Sequence, residues 1–325
     1  MSIEPLNSDA EPSPFHRGEQ AIQAKLGVRE RSEKIGAIAI RDHLPEQHQK
    51  FYSQLPFVFI GALDQHRLPW ASVLFGRPGF MHAPDSKTLE IRTQMIDGDP
   101  LAHQLEPGSA VGVLGIEYET RRRNRLTARI EEMDDRKIRL SIDQTFGNCP
   151  QYIQARGLCL LEQIDSVGDA RESENLDRIS GVISEFVAQA DNFYIASHHT
   201  EQVAVASNGA DVSHRGGKPG FVEVLDEQTL QFPDYPGNNH FNTFGNLALN
   251  PEAGLTFIDS STGDILFLTG DTEIIWQGPE VERLVGAKRV VRFVLKHGRW
   301  VKAAVPIRWN FLNYSPRFAQ IEDSQ

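Results

Sequence analysis

The sequence repeats itself. Gly76-Arg77-Pro78-Gly79-Phe80 returns 141 residues later as Gly217-Lys218-Pro219-Gly220-Phe221, and at the same separation Asp85, Thr88 and Leu89 match Asp226, Thr229 and Leu230. Seven of the fourteen positions from Gly76 to Leu89 are identical, where unrelated chains of ordinary composition share roughly one. Pro-Gly suits the centre of a type II turn in any fold, but turn chemistry does not account for the matching Asp-x-x-Thr-Leu. The correspondence continues with small shifts. Leu105-Glu106-Pro107 parallels Leu249-Asn250-Pro251 at 144 residues, Leu126-Thr127-Ala128 parallels Leu268-Thr269-Gly270 at 142, and the strand-like Phe57–Ile60 parallels Phe193–Ala196 at 136. Such drift is what loop insertions between common strands produce, so the sequence predicts one architecture built twice.

Within each unit the pattern reads as a helix, several strands, one short helix and more strands. Before the second unit, Ile179, Val182, Ile183, Phe186, Val187 and Ala190 recur at three and four residues and predict one apolar helical stripe. Leu255–Ile258, Ile265–Leu268 and Val290–Leu295 read as strands separated by turn residues. His297-Gly298 reads as the turn of a closing hairpin into Trp300–Val305. The stretch from Gly147 to about Asp177 reads as the connector, with a short helix near Gln151–Arg156. Strand-rich units with few helices predict small antiparallel barrels and not a doubly wound sheet, and neither a dinucleotide-binding glycine fingerprint nor a P-loop is present.

With 44 acidic and 33 basic residues the net charge is −11. Such a surface repels nucleic acid and anionic lipid, so a phosphate-bearing ligand would need a local basic pocket. No apolar run approaches the roughly 18 residues of a membrane span. Residues 1–14 are acidic and rich in Pro and Ser, and read as a disordered tail and not a signal peptide. Two cysteines, Cys149 and Cys159, are too few for a disulfide scaffold. The expectation is a cytoplasmic protein with no metal site.

Three polar constellations could carry chemistry. Asp211–Lys218 places His214 and Arg215 at a strand end before Gly216, Gly217 and Lys218. That supplies cationic donors and a backbone that a phosphate can approach closely, or else a solvated basic hairpin tip. In Phe232–Thr243, Asp234, Tyr235, Asn238, Asn239, Asn242 and Thr243 sit where a strand turns into a short helix. Helix amides and Asn side chains suit a phosphate or the edge of a heteroaromatic ring, though one of the asparagines is expected only to cap the helix. In Thr120–Leu126 a strand would put Arg121, Arg123 and Arg125 on one face. Such a stripe is either an anion site or an internal salt-bridge ladder.

Weaker signals have plainer readings. Cys149 could be a reactive thiol, but a small packing residue is the simpler account. His198-His199 lacks a third ligand at a convincing spacing and reads as a surface loop. Arg308-Trp309 could cover a planar ligand or close a core.

Together these segments resemble the pyridoxamine 5′-phosphate oxidase-like, FMN-binding split-barrel superfamily, and within it the tandem branch of predicted flavin-nucleotide-binding proteins. The strings DVSHRGGKPGFV, PDYPGNNHFNTFGNL, ETRRRNRL and FGNCPQYIQ carry the likeness, which runs from about Ser13 to the C-terminus. It implies a mainly β fold with flanking helices (α+β), arranged as two tandem split β-barrels, residues 15–165 and 166–325, that form an intramolecular pseudo-dimer. It also implies FMN, with FAD, deazaflavin or haem as ligands the fold would also accept. His214 and Arg215 would face the phosphate, with Asn238, Asn239 and Asn242 around the flavin.

The two units depart from the pattern differently. Ile265–Leu268 lacks the basic residues of its counterpart Arg121–Arg125, and Ser72–Phe75 lacks the His-Arg pair. A composite pocket between the units, with one flavin per chain, is the preferred reading, with two symmetric sites as the alternative. No pyridoxamine-phosphate substrate motif is found at the C-terminus. The resemblance therefore implies an FMN-dependent oxidoreductase acting on a small molecule, with a reduced nicotinamide or a reductase as electron donor and no assignable catalytic residue. The alternative is a non-catalytic flavin carrier or redox sensor. A homodimer is compatible with either.

Overall fold

The computed structural model describes residues 13–200 and 207–322. Three helices, α1 (Arg17–Lys25), α2 (Arg29–Ala39) and α3 (Glu46–Gln54), lead into strands β1 (Phe57–Leu63), β2 (Pro69–Phe75), β3 (Met81–His82), β4 (Thr88–Ile91), β5 (Ala110–Glu117), β6 (Arg122–Asp134) and β7 (Lys137–Asn148). After β8 (Ala155–Leu160), β9 (Ser173–Leu176) and α4 (Val182–Gln189) come β10 (Asn192–His199), β11 (Gly209–Gly216), β12 (Glu223–Val224) and β13 (Thr229–Asp234). Helix α5 (Asn242–Leu249) then precedes β14 (Glu252–Ile258), β15 (Ile265–Ile275), α6 (Pro279–Arg283), β16 (Arg289–Val301), β17 (Ile307–Asn313) and α7 (Arg317–Glu322).

The protein is mainly β, with open antiparallel sheets. One is ordered β2-β1-β5-β6-β7-β4-β3 and the other β11-β10-β14-β15-β16-β13-β12, with β9 added beside β16. Strand for strand, the order is the same. Local chemistry recurs with it. In Gly76–Phe80 and Gly217–Phe221, Gly79 and Gly220 have φ of +96° and +87°, and the Phe80 and Phe221 amides donate back to Arg77 O and Lys218 O. These are turns that require glycine at the third position. Asp85 and Asp226 then accept from the amides of Lys87 and Gln228, both at 2.8 Å, and so fix the entry into β4 and β13. The Leu-Thr-Ala and Leu-Thr-Gly matches coincide with register shifts at Thr127/Ala128 and Thr269/Gly270. The shared motif therefore marks a bulge.

The two sheets meet backbone against backbone. A β-carbon on Gly112 would stand 2.7 Å from Asp211 Cα, and one on Gly254 would stand 2.5 Å from Pro69 O. Thr256 Oγ1 and Thr269 Oγ1 donate across the same seam to Ala71 O and Pro69 O. Phe59 and Tyr194 stack beside it with ring centroids 3.4 Å apart.

Several expectations are corrected. Gln151–Arg156 is not a helix: a left-handed Tyr152 (φ +64°) makes a turn, and Ala155 starts β8, which pairs with β17. The connector is thus structured, and its β9 joins the second sheet through β16. His297-Gly298 is not a hairpin turn, because β16 runs through it with His297 opposite Thr269 and Gly298 opposite Leu268. No helix follows β4 in the first sheet. Asp99–Gln104 forms successive turns stopped by a left-handed His103 (φ +61°). Helix α4 begins at Val182, which is exposed, and only Ile183 and Val187 of its stripe are buried within it. His198 and His199 end β10 and are buried, not in a surface loop. Of the tail expected over residues 1–14, Ser13 and Pro14 are bonded to the rest of the fold, Ser13 Oγ donating to Glu33 and Pro14 O accepting from Gln144; residues 1–12 lie outside the described residues. No helix among the described residues is long and apolar enough to cross a membrane.

Gly112→Ala should lower the stability by about 1–3 kcal/mol, since the added methyl meets backbone that cannot move aside. The check is the denaturant midpoint at unchanged slope. An unaltered midpoint would show that the seam can open.

Candidate functional site

Strand β11 lies at the edge of its sheet, and a cleft of about 370 Å³ runs along its C-terminal half. This volume lies within the range of small-ligand sites. Ser213, His214, Arg215 and Gly216 of β11 line it, opposite Arg123 and Arg125 of β6. The end of β13 adds Asp234, the start of β16 adds Arg289, and the following loop and α5 add Tyr235, Asn238, Asn239, Asn242 and Thr243. Residues far apart in sequence, from Leu26 to Lys288, complete the wall.

Most of the sequence-predicted residues thus meet in one cleft. Arg121 does not. It sits before β6 in a left-handed turn (φ +58°), where its Nε donates to Ile153 O at 2.9 Å and another nitrogen to Tyr314 O at 3.3 Å. Two arginines, not three, therefore share the inward face. Gly217 and Lys218 also stand outside. Gly217 closes against the Phe221 ring, and the Lys218 ammonium lies 5.9 Å from the Tyr314 ring centroid. Trp309 belongs to the core, 5.4 Å from Phe57 between ring centroids, while Arg308 donates to the carbonyls of Val305, Ile307 and Thr262. Cys149 lines the cleft and Cys159 is exposed.

The cleft is cationic. Asp234 is the one acidic residue on its wall, against Arg123, Arg125, Arg215, Lys288 and Arg289. Asp234 pairs with Arg215 at 2.5 Å and with Arg289 at 3.0 Å. Behind the wall, Asp211 pairs with Arg125 and accepts from Thr243 Oγ1 at 3.1 Å. Arg123 meets only carbonyls, Cys149 O at 2.7 Å and His214 O at 3.4 Å. Burial, with the neighbouring guanidinium groups adding to it, pulls Arg125 down to about 9 and Arg123 to about 10. Burial and the facing arginines also hold His214 well below the ordinary histidine value. His214 is therefore neutral at neutral pH, not the cation its neighbourhood in the sequence predicts. Neither of its ring nitrogens, nor Arg215 Nε, nor Arg289 Nη1, has a hydrogen-bond partner among the described residues. Buried donors of this kind are costly unless something accepts from them.

The loop before α5 is held from behind by the N-terminal helices. Asn239 and Phe241 are left-handed, with φ of +63° and +64°, a conformation that other contacts must stabilise. Ser32 Oγ donates to Asn239 O at 3.2 Å, and Gln23 Nε2 donates to His240 O at 3.1 Å. Asn238 Oδ1 accepts from the His240 amide, and Asn242 donates to Glu19 Oε1 at 2.5 Å, so Asn242 is tied to a carboxyl and caps nothing. Glu19, Tyr152 and Arg289 are the residues that sequence reasoning missed. The Lys288-Arg289 pair ahead of a strand was the available signal for Arg289. For Glu19 it was the His16–Glu19 capping box, in which the His16 amide donates to the carboxyl.

No protein-family model and no curated protein matches the chain. Among solved structures it is similar to HupZ of Group A Streptococcus over 36% of this chain and 90% of that one, at 13% identity and a TM-score of 0.29. It is also similar to a FAD-binding protein from Mesorhizobium loti over 39% and 97%, at 13% identity and a TM-score of 0.27. A third is a protein of the pyridoxinephosphate oxidase family, related to general stress protein 26, from Clostridium acetobutylicum, over 42% and 92%, at 12% identity and a TM-score of 0.25. At TM-scores this low the likeness carries no argument, and function has to be argued from the cleft itself.

Burial pushes the Glu19 carboxyl up to about 8, and pulls His16 to about 3 and His48, His198 and His240 to about 4. Between pH 4 and 6.5 the unfolded chain binds more protons through the histidines, so their contribution to stability rises with pH. Glu19 acts the other way: the folded state holds its proton up to about pH 8, and that contribution is lost as pH rises. At pH 6.5 the unfolded histidines are still half protonated, and their contribution levels off only by about pH 7.5. Stability should therefore fall from about pH 7.5 to 8.5, and Glu19→Gln should remove most of that fall. Melting temperatures of both proteins across this range check it, and equal slopes would show that Glu19 is ionised in the fold.

Proposed function

We propose that the cleft is a flavin-nucleotide site that takes FMN, in a protein made of two split barrels, residues 15–165 and 166–325, each of which contributes part of the wall. The observation that carries the reading is the surplus of buried cationic donors without acceptors, in a cleft bounded by aromatic rings. A phosphate would be held by Arg123, Arg125 and Arg215, with one N–H of His214 and the first amides of α5. Tyr235, stacked on Tyr152 at 5.0 Å between centroids, and the side chains of Asn238 and Asn242 offer an aromatic and polar boundary for a ring system. FMN, when bound, supplies one- or two-electron redox chemistry of its own.

The reading of two barrels of one kind is supported by the identical strand order and by the twin turns and bulges. It also accounts for one site per chain. At the separations set by the repeat, Val73 and Leu74 stand in β2 where β11 has His214 and Arg215, and Ile265 and Phe267 stand in β15 where β6 has Arg123 and Arg125. All four are fully buried in one hydrophobic cluster. Packed apolar side chains thus stand where the cleft has His214, Arg215, Arg123 and Arg125.

An oxidoreductase acting on a small molecule is the reading we favour for activity. A flavin carrier or redox sensor is the second, and one observation favours it: neutral, deeply buried His214 leaves the cleft without a histidine that could exchange protons near pH 7. Mixing the flavin-loaded protein with a reduced nicotinamide separates them. Bleaching of the yellow flavin band favours the enzyme, and a flavin that no donor reduces favours the carrier.

Titration with FMN should saturate at one per chain; no uptake would overturn the reading, and two per chain would overturn the single site. Arg215→Ala should weaken FMN binding by about tenfold to about 150-fold, as expected for a charge-assisted contact. Riboflavin, which has no phosphate, should bind both proteins alike, and an equal loss for riboflavin would mean that Arg215 only supports the fold.

A further inference from the structure

A second cleft, of about 360 Å³, opens on the other side of β10. Its inner wall is made of Tyr118, Tyr194 and Trp309, which are 6%, 1% and 7% exposed. Phe311 and Tyr314 also line it, and both are partly exposed, at 47% and 37%. Arg156, paired with Asp191, completes a polar side.

The hydrogen bonding on this wall is one-sided. The Trp309 indole N–H and Arg156 Nε are buried and have no hydrogen-bond partner among the described residues. The hydroxyls of Tyr118 and Tyr194 contact each other, and the Asn192 side chain bonds Tyr118 as well. The unpaired Trp309 N–H is set among aromatic faces, and a ligand that fits it is flat and brings an acceptor. Charge narrows the class further. Arg156 is the only cation on the lining against Asp191 and Asp259, so the cleft has no surplus positive charge with which to hold an anion.

We propose that this cleft is a second small-molecule site, built for a neutral planar ring system that carries a carbonyl acceptor. Trp309 supplies its hydrogen bond, and the aromatic walls supply its contact area. It is separate from the cationic cleft but shares a wall with it: Tyr194 pairs in register with His214 on the neighbouring strand, and their rings lie 5.7 Å apart. A ring bound here would rest against Tyr194, whose other neighbour is the His214 imidazole of the first cleft. The proposal does not depend on what the first cleft binds.

Naphthalene-2-carboxamide is a suitable probe, with naphthalene as the analogue that lacks the acceptor, titrated calorimetrically into the full chain. The carboxamide should bind saturably, and about three- to tenfold more tightly than naphthalene, the worth of one neutral hydrogen bond. Trp309→Phe keeps a ring and loses the N–H, and should shrink that difference while circular dichroism stays unchanged. Ser260, in the turn after β14, borders the cleft, and Ser260→Trp should block binding of both compounds. Three results would overturn the proposal: no saturable binding, binding indifferent to Ser260→Trp, or binding lost in Arg215→Ala, which would place the ring in the cationic cleft.

Discussion

The candidate site depends on how closely β11 approaches the first sheet. Gly112 on β5 removes the side chain that would otherwise hold the Asp211 backbone away. The Arg125–Asp211 pair, both residues buried, then crosses the gap that remains. This contact sets Arg123 and Arg125 of β6 opposite His214 and Arg215 of β11, though about ninety residues of sequence separate the two strands. An ordinary side chain at Gly112 would separate the two halves of the wall. Backbone proximity comes first, and the electrostatics of the cleft follow from it.

That proximity has an electrostatic cost. Guanidinium groups brought together and dried repel one another, and the depressed values of Arg123 and Arg125 record it, with burial as the larger cause. Asp211 and Asp234 offset part of the repulsion. Arg123 has no carboxylate partner among the described residues, only backbone carbonyls. Buried charges are normally paired or neutralised, and a wall that keeps more cations than anions is better suited to receiving an anion than to adding stability. A salt-bridge ladder, the other reading that the arginine stripe allowed, would have matched each guanidinium with a carboxylate. The structure matches only some of them.

The sequence was most legible where chemistry is local. Gly-x-Pro-Gly-Phe and Asp-x-x-Thr each act within five residues, and both reappear as the turns that their composition demands. The apolar strands β1, β10, β14 and β15 were legible for the same reason. Errors arose where a distant partner decides the outcome. His297-Gly298 has turn residues, but the long β15 pairs through them and keeps β16 one continuous, bulged strand. Gln151–Arg156 has helical composition, but β17 offers an open edge and draws Ala155–Leu160 into a strand. The alternation of Arg121, Arg123 and Arg125 fails at its first member because strand periodicity begins only at Arg122. Arg289 stayed hidden because its partner Asp234 is set by the β13–β16 register, which no local pattern displays.

The same contrast explains how two sheets of equal strand order come to differ in what they can bind. A sheet edge needs its turns, bulges and apolar alternation to fold, and both sheets keep these. The residues that line a cleft are under no such demand. Where Val73, Leu74, Ile265 and Phe267 fill the space, burial of apolar surface stabilises the junction at about 25 cal/mol per Å². Where His214, Arg215, Arg123 and Arg125 stand instead, the junction forgoes that stabilisation and carries the cost of dried charges. Only one of the two positions is cationic, so the packed one can hold the halves together while the other stays open. Asymmetry between the two sheets is thus what leaves one junction packed and apolar while the other is lined by cations.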